Sequence, residues 1–404
     1  MQRAPSAVPT GLPRSVLLLC WRDTDHPQGG GSERYLERVG AELVRRGVRV
    51  TLRTAAYPGA PATETRDGIR VSRGGGRLGV YPRALLAMVA ARWGFGPLAG
   101  VRPDVVVDTQ NGIPFFAALV SPAPVVVLVH HCHREQWPVA GPLLRHLGWF
   151  VESRLSPWVH RRHQYVTVSA PSAVELHDLG VSADRVAVVR NGIDPVPHIS
   201  HDEVRAGHRL CVVSRLVPHK QIEDALEVVR RLRGTVPGLH LDVVGDGWWA
   251  PRLRELVRQY GIGAHVTFHG HVDEVTKHRL LATTDVHLMP SRKEGWGLAV
   301  IEAAQHGVPT IGYRHSRGLT DSVVDGETGL LVDDVDELCT ATAVLVDDPG
   351  SARRLGEAAR DRVADLSWGR TADELVEVFA AVEAGRRVGR RGEMASLDAR
   401  TLTG

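Results

Sequence analysis

Glu294 and Glu302 stand eight positions apart in Pro290-Ser291-Arg292-Lys293-Glu294-Gly295-Trp296-Gly297-Leu298-Ala299-Val300-Ile301-Glu302-Ala303. Asp285-Val286-His287-Leu288-Met289 upstream alternates and is largely apolar, which suits a buried strand. Pro290 and Ser291 end it, and Gly295 and Gly297 open a tight turn. From Leu298 the apolar spacing becomes helical through Ile301 and Ala304. Glu294 therefore falls on a loop at the carboxyl end of a strand, and Glu302 about one turn into the next helix. Between them Trp296, Gly297 and Leu298 bring backbone N–H groups to a helix N-terminus. Such a turn can hold a pyrophosphate on its amides while the carboxylates accept hydrogen bonds from hydroxyls of sugars on either side. A nucleotide-sugar has that layout. An acidic residue at a helix start and a solvated helix glutamate are each common alone, so the flanking residues carry the reading.

Other segments offer complementary chemistry. Ser214-Arg215-Leu216-Val217-Pro218-His219-Lys220 follows a strand, and cations at a sheet's carboxyl edge can neutralise a leaving diphosphate. Only Lys220, Lys277 and Lys293 are lysine among 49 basic residues, so these point charges stand out against an arginine background. Gly29-Gly30-Gly31-Ser32-Glu33 follows the first strand, and its glycines permit close backbone approach to a phosphate. Val243-Val244-Gly245-Asp246-Gly247 ends another strand, although Gly-Asp-Gly is also simply a good turn. Val125 to Val129 leads into His130-His131-Cys132-His133. Neighbours on an extended strand point to opposite faces, which makes a closed tetrahedral zinc site awkward there.

Strand and helix signals alternate along the chain. Strands are expected at Val16–Cys20, Val48–Thr54, Val105–Val107, Val125–Val129, Tyr165–Ser169 and Val186–Val189, and then at Leu210–Ser214, His240–Val244, His265–Phe268, Val286–Met289 and Thr310–Gly312. Helical patterns fall between, at 32–46 with Ser32 as cap, Gln221–Arg233, Trp249–Tyr260 and Asp336–Val346. That alternation points to α/β architecture with parallel sheets covered on both faces. Residues 1–14 read as a flexible arm, 15–195 and 208–366 as two Rossmann-like domains, and the polar stretch 196–207 as their linker. A helix is expected over 367–385, and Arg386, Arg387, Arg390 and Arg391 open a basic, disordered tail over 386–404.

With 404 residues, 43% of them hydrophobic, the chain can bury two ordinary cores. A net charge of +3 implies no nucleic-acid partner. Cys20, Cys132, Cys211 and Cys339 are widely spread and suit a reduced cytoplasm. No run of about 18 apolar residues predicts a transmembrane helix. Residues 143–162 mix Trp149, Phe150 and Trp158 with Arg145, Arg154, Arg161 and Arg162. Two outcomes are open there: peripheral contact with an anionic membrane, or packed aromatics with solvated arginines on a helix that Pro157 interrupts.

The stretch 290–303 resembles the donor-site signature of the retaining glycosyltransferases of family 4, P-S-x-x-E-G-[FW]-G-L-x-x-x-E-A, and matches every typed position. The resemblance runs in order from Gly29 to Trp368. It implies the GT-B fold, two Rossmann-like domains facing across a cleft, with the 367–385 helix crossing back to the first. The family's G-R-L-x-x-x-K appears with Ser214 in place of its glycine, and carries diphosphate binding to Arg215 and Lys220. The family's G-G-x-E puts Gly30 and Gly31 on the diphosphate as well, beside Gly297 and Leu298. Its V-x-G-x-G turn places Gly245 near the nucleotide. Glu302 is expected at the ribose and Glu294 at the transferred sugar. The family histidine six residues after a proline counts from Pro124 to His130, which is expected to touch donor hydroxyls or the acceptor, with His131 an unresolved neighbour. Asn191-Gly192-Ile193-Asp194 resembles a hinge motif in which Gly192 allows an unusual backbone angle. The segment 325–332 resembles a further structural turn. Asp23-Thr24-Asp25 resembles the metal-binding D-x-D of the other glycosyltransferase fold class. With Arg215 and Lys220 in that electrostatic role, no metal cofactor is expected.

The resemblance thus implies a cytoplasmic, metal-independent, retaining hexosyltransferase, with peripheral contact at the inner membrane face as one option. It would move a sugar from a UDP- or GDP-sugar to a hydroxyl of a glycan, glycolipid or small natural product. A nucleotide-sugar epimerase of the same fold, and a non-catalytic, membrane-recruited donor-binding subunit, are the alternatives.

Overall fold

The computed structural model describes residues 11–27, 29–134, 137, 142–199 and 207–389. It divides into two compact units, one built from the chain up to Gly192 and from Ser367 onward, the other from Ile193 to Leu366. The first division falls ahead of the expected 195. Most of the expected arm and tail, residues 1–10 and 390–404, and residues 200–206 of the expected linker lie outside the described residues.

The first unit is an eight-stranded sheet: β1 (Ser15–Leu19), β2 (Arg49–Thr54), β3 (Thr63–Arg66), β4 (Ile69–Arg73), β5 (Val105–Thr109), β6 (Val125–Val129), β7 (Gln164–Thr167) and β8 (Val186–Val188). Their spatial order is β3-β4-β2-β1-β5-β6-β7-β8. All neighbours run parallel except β3 and β4. β1, β5 and β6 are buried at every position, which accounts for their unbroken Val/Leu runs. The β3–β4 hairpin was not among the sequence expectations. Asp67 and Gly68 both take positive φ, 49° and 78°, the backbone of a two-residue hairpin turn. That Asp-Gly pair was the available signal.

The helices of this unit are α1 (Gly31–Arg45), α2 (Val80–Ala91), α3 (Pro142–Phe150), α4 (Ser156–Val159) and α5 (Ala170–Asp178). α1 starts one residue before the expected cap Ser32, because the Glu33 carboxylate reaches back to the amide of Gly30 at 2.9 Å. A π-helical turn, Val151–Leu155, joins α3 to α4. Pro157 does not interrupt this run as expected. It sits in the first turn of α4, where the lack of an N–H is tolerated.

The second unit has six parallel strands: β9 (Arg209–Val213), β10 (His240–Val244), β11 (Val266–Gly270), β12 (Val286–Met289), β13 (Thr310–Tyr313) and β14 (Gly329–Val332). Their order is β11-β10-β9-β12-β13-β14, so the winding reverses between β9 and β12. β14 was read from sequence as a turn; its Gly329 lies so close to β13 that a Cβ there would meet Thr310 O at 2.3 Å. The helices are α6 (Ile222–Leu232), α7 (Ala250–Tyr260), α8 (Glu274–Ala282), α9 (Leu298–Gln305), α10 (Leu319–Ser322), α11 (Val335–Asp347) and α12 (Pro349–Val363). Leu210, Val212 and Leu241 pack with Leu226 of α6, Leu253 of α7 and Leu338 of α11. On the opposite face Cys211 packs with Leu281 of α8 and Ala303 of α9. Alternate residues of one strand thus feed two cores.

The last helix, α13 (Trp368–Glu383), belongs to the first unit, and Ser367 caps it by accepting from the Arg370 amide at 3.2 Å. It packs on α1 through Tyr35 and Trp368, whose rings lie 5.9 Å apart, and through the Arg46–Asp373 ion pair at 2.6 Å. Gly192 is not in the left-handed region, so its expected unusual angle is absent. It is small because a Cβ would come within 2.3 Å of the Trp368 nitrogen. The expected disorder from 386 does not begin there. Gln164 donates to Val388 O at 2.7 Å and accepts from its amide at 2.9 Å, fastening the chain to β7.

Candidate active site

In a doubly wound sheet, ligands bind outside the carboxyl ends of the strands where the winding reverses. In the second unit that place lies between β9 and β12, and the loops leaving these two strands carry Arg215, Lys220 and Glu294. The Lys220 ammonium meets the Glu294 carboxylate at 2.5 Å, across 74 residues of sequence. Arg292 N donates to His219 O at 2.9 Å, so backbone also ties the loops together. Arg215 stands exposed on the same loop.

Glu294 is fixed from several sides. Its amide donates to Ser316 O at 3.3 Å, and Gly318 passes so close that a Cβ would meet Glu294 O at 2.4 Å. Burial pushes its carboxyl pKa up, but Lys220, a hydrogen bond from Ser291 and the charge of His219 outweigh it, so the net shift is downward. The side chain is thus an anion that can only accept hydrogen bonds. Trp296 is buried beside it, and Gly297 caps α9 with φ of 88°, a left-handed conformation that favours glycine. α9 then presents the amides of its first turn, starting at Leu298, which helix geometry leaves without partners inside the helix.

Glu302 lies one turn into α9 and is buried. Its carboxylate meets the Lys277 ammonium at 2.8 Å, and Lys277 also contacts both oxygens of Glu274 at 3.0 Å. Sequence reasoning assigned Lys277 no role; its one signal was the scarcity of lysine. Gly245 takes φ of 122°, and a Cβ there would lie 1.9 Å from Ser214 O. A Cβ on Gly247 would lie 2.2 Å from Leu216 O. These glycines let the loops after β9 and β10 touch.

The first unit reverses its winding between β1 and β5. The glycine loop after β1 leads into α1, where Gly31 is exposed. The Gly30 amide, expected to face a phosphate, donates to Glu33. Arg22, absent from the sequence expectations, pairs with the buried Glu33 at 3.3 Å. His130 follows β6 and is buried, 5.2 Å edge-on from the Tyr35 ring, and neither ring nitrogen has a hydrogen-bond partner. Burial lowers its pKa to about 4 and the charge of His133 pushes the same way, against an upward push from Glu33. It is neutral at pH 7, with one N–H to give and one nitrogen to accept. His131 stacks on His133 at 4.4 Å, and His133 is held by Glu152, which accepts from its amide at 2.8 Å. Asp23 is drawn to Arg73 at 2.6 Å and Asp25 to Arg66 at 3.2 Å, so both carboxylates of the D-x-D are neutralised by arginines.

The structure therefore brings Lys220 to Glu294 and sets Gly297 and Leu298 at the start of the helix that carries Glu302. It places His130, Gly30 and Gly31 in the other unit.

Comparison with known proteins adds identity to this geometry. The profile of Glycosyl transferases group 1 matches residues 202–362, and that of Glycosyltransferase Family 4 matches residues 29–196. The chain is 31% identical over 396 residues to the GDP-mannose-dependent alpha-(1-6)-phosphatidylinositol monomannoside mannosyltransferase of Mycolicibacterium smegmatis, covering 90% of this chain and 97% of that protein. It is 32% identical over 300 residues to the glycogen synthase of Mycobacterium tuberculosis, covering 71% and 70%. The Anabaena protein HepE, solved with UDP and glucose, superposes with a TM-score of 0.71 at 16% identity, covering 90% of this chain and 98% of that one.

Proposed function

The chain belongs to the group 1, family 4 glycosyltransferases, enzymes that use nucleotide-sugar donors, and from that premise we propose a retaining hexosyltransferase that takes a UDP- or GDP-sugar. The observation that carries it is the Lys220–Glu294 pair at the winding reversal of the second unit. A diphosphate arriving there competes for the ammonium, which frees Glu294 for the hydroxyls of the transferred sugar. Arg215, Lys220 and the amides around Gly297 and Leu298 stabilise the departing diphosphate. Glu302, held by Lys277, accepts from the ribose hydroxyls, and Gly245 shapes the nucleotide side. Glu294 and His130 are the proposed catalytic residues, and Gly31, exposed at the start of α1, adds backbone contact to phosphate.

An acceptor hydroxyl attacks from the side that the diphosphate leaves, with the leaving phosphate as base, so no protein nucleophile is needed. Cation and amide stabilisation of the diphosphate supports a metal-independent reaction. The smegmatis relative is named for a GDP-mannose donor and a phosphatidylinositol-based acceptor, which supports a GDP-sugar and a glycolipid acceptor here. We place the enzyme in the cytoplasm, in contact with the inner membrane face through 143–162; the four buried cysteines, none of them in a disulfide, suit a reducing compartment. Neither alternative, epimerase or non-catalytic subunit, is favoured by the matched relatives.

A thermal-shift panel of UDP-, GDP- and ADP-sugars tests the donor, since a bound donor raises the melting temperature by linkage. NMR of the first-formed product tests the stereochemistry: the donor's anomeric configuration is expected in the product, and its inversion excludes the retaining mechanism.

A further inference from the structure

The first unit exposes an apolar surface that neither its core nor the donor chemistry uses. Of the twelve large hydrophobic side chains exposed among the described residues, eight lie between residues 78 and 158. Leu86, Trp93 and Phe95, on or just after α2, are 67%, 67% and 70% exposed; Leu119 is 67% exposed, and Phe150 and Trp158 of the α3–α4 run are 55% and 63% exposed.

These side chains share one side of the sheet. The β4-to-β5 crossing through α2 and the β6-to-β7 crossing through α3 and α4 advance in the same direction across the strand order, so right-handed connections put them on one face. Contacts bridge them. Arg92 at the end of α2 donates to Val120 O at 2.6 Å, just past Leu119, and Phe116 before that turn stacks on His160 at the end of α4.

The charge is one-sided. Residues 68–103 hold the exposed Arg70, Arg77, Arg83, Arg92 and Arg102 and no Asp or Glu, while Arg73 is buried and paired with Asp23. In the α3–α4 run the acidic residue, Glu152, is buried, where it accepts from Trp137 and His133. Arg154, Arg161 and Arg162 are exposed, and Arg161 lies 5.3 Å over the Trp158 ring. Exposed Trp, Phe and Leu amid arginines, with no acidic side chain among them, are complementary to a surface that is anionic outside and apolar beneath. A second copy of the same face would bring arginine against arginine.

We propose that this face of the first unit, with α2 and the 117–119 turn as its larger part, docks on an anionic lipid bilayer. Trp93, Phe95 and Leu119 enter the boundary between headgroups and acyl chains while Arg77 and Arg83 meet lipid phosphates. The membrane contact through 143–162 becomes one edge of a broader surface, and the proposal does not depend on donor identity or stereochemistry.

Sedimentation of the full chain with vesicles of pure phosphatidylcholine, or of phosphatidylcholine doped with phosphatidylglycerol, tests it. The expected result is capture by the anionic vesicles alone, weakened by salt. The pair W93S/F95S is expected to bind at least tenfold more weakly with unchanged melting temperature, and R77E/R83E to lose the preference for anionic lipid, so two independent variants cover a folding failure in either. Equal capture by both vesicles, unaltered capture of both variant pairs, or conversion of a wild-type dimer to monomer by W93S/F95S would each overturn the proposal, the last by showing that a second copy covers the face.

Discussion

The two units wind their sheets alike yet equip them differently. β4-β2-β1-β5-β6 in the first repeats the pattern of β11-β10-β9-β12-β13 in the second, each with its reversal beside the first strand. At the second unit's reversal, side chains from separate loops pair across it, Lys220 with Glu294, and Lys277 grips Glu302 nearby. At the first unit's, Glu33 folds back on its own helix start and Arg22, and His130 is buried and neutral. Topology decides where a ligand can sit. The side chains decide whether the place holds charge ready for a diphosphate or only a neutral hydrogen-bonding ring.

The strongest way to break that contrast is kinetic. Glu294→Gln keeps the shape of the side chain but removes the anion from Lys220 and from the proposed sugar contact. Turnover is expected to fall roughly 100- to 1000-fold with an unchanged melting temperature. His130→Ala should cost less, roughly tenfold, because a neutral imidazole supplies one hydrogen bond and no charge. Equal losses in the two variants would show that the charged edge has no privileged role.

Acid should separate the units next. His130, His160 and His163 in the first unit and His287 in the second are each held near pKa 4, below the usual 6.5, mainly by burial. Each therefore takes up a proton on unfolding, and its contribution is complete above pH 6.5 and lost as pH falls toward 4. Asp108 acts oppositely: burial raises its pKa from 3.8 to about 6, so its protonation in the folded chain offsets part of the loss below that pH. With three such histidines against one, the first unit should lose hydrogen-exchange protection before the second on acidification from neutrality. Earlier loss in the second unit would contradict this.

The same contrast explains what the sequence revealed. The second unit's charged edge was legible because Glu294, Glu302, Arg215 and Lys220 lie in one strand–turn–helix and one short loop, where local spacing is spatial order. The Lys277–Glu302 pair was not, because α8 and α9 meet only after β12 threads between them. In the first unit the buried Val/Leu runs announced β1, β5 and β6, whereas β3 is polar and half-exposed and leaves no periodic trace. The roles of Gly192 and Gly329 depend on contacts with Trp368 and Thr310, which no local pattern contains.

A backbone test sharpens the second unit's side of the comparison. Gly245→Ala would place a methyl 1.9 Å from Ser214 O at φ of 122°. The strain should destabilise that unit by about 3 kcal/mol and push the loops after β9 and β10 apart. Two-transition calorimetry should show only the second unit's transition moving down; a fall confined to the first unit's would sink the assignment.

The smallest expected effect is the most informative about design. Lys277→Met removes the partner of a buried carboxylate while Glu302 itself stays. If Lys277 serves to hold Glu302 in its ribose-binding geometry, donor KM should rise roughly tenfold, the worth of one charge-assisted hydrogen bond, with kcat little changed. Glu302→Gln should raise KM by a similar factor. The double variant should then be no worse than the more damaged single one, because both remove the same held carboxylate. Additive losses would mean that Lys277 touches the donor on its own account, and Lys220 and Lys277 would then both be direct ligands of the nucleotide.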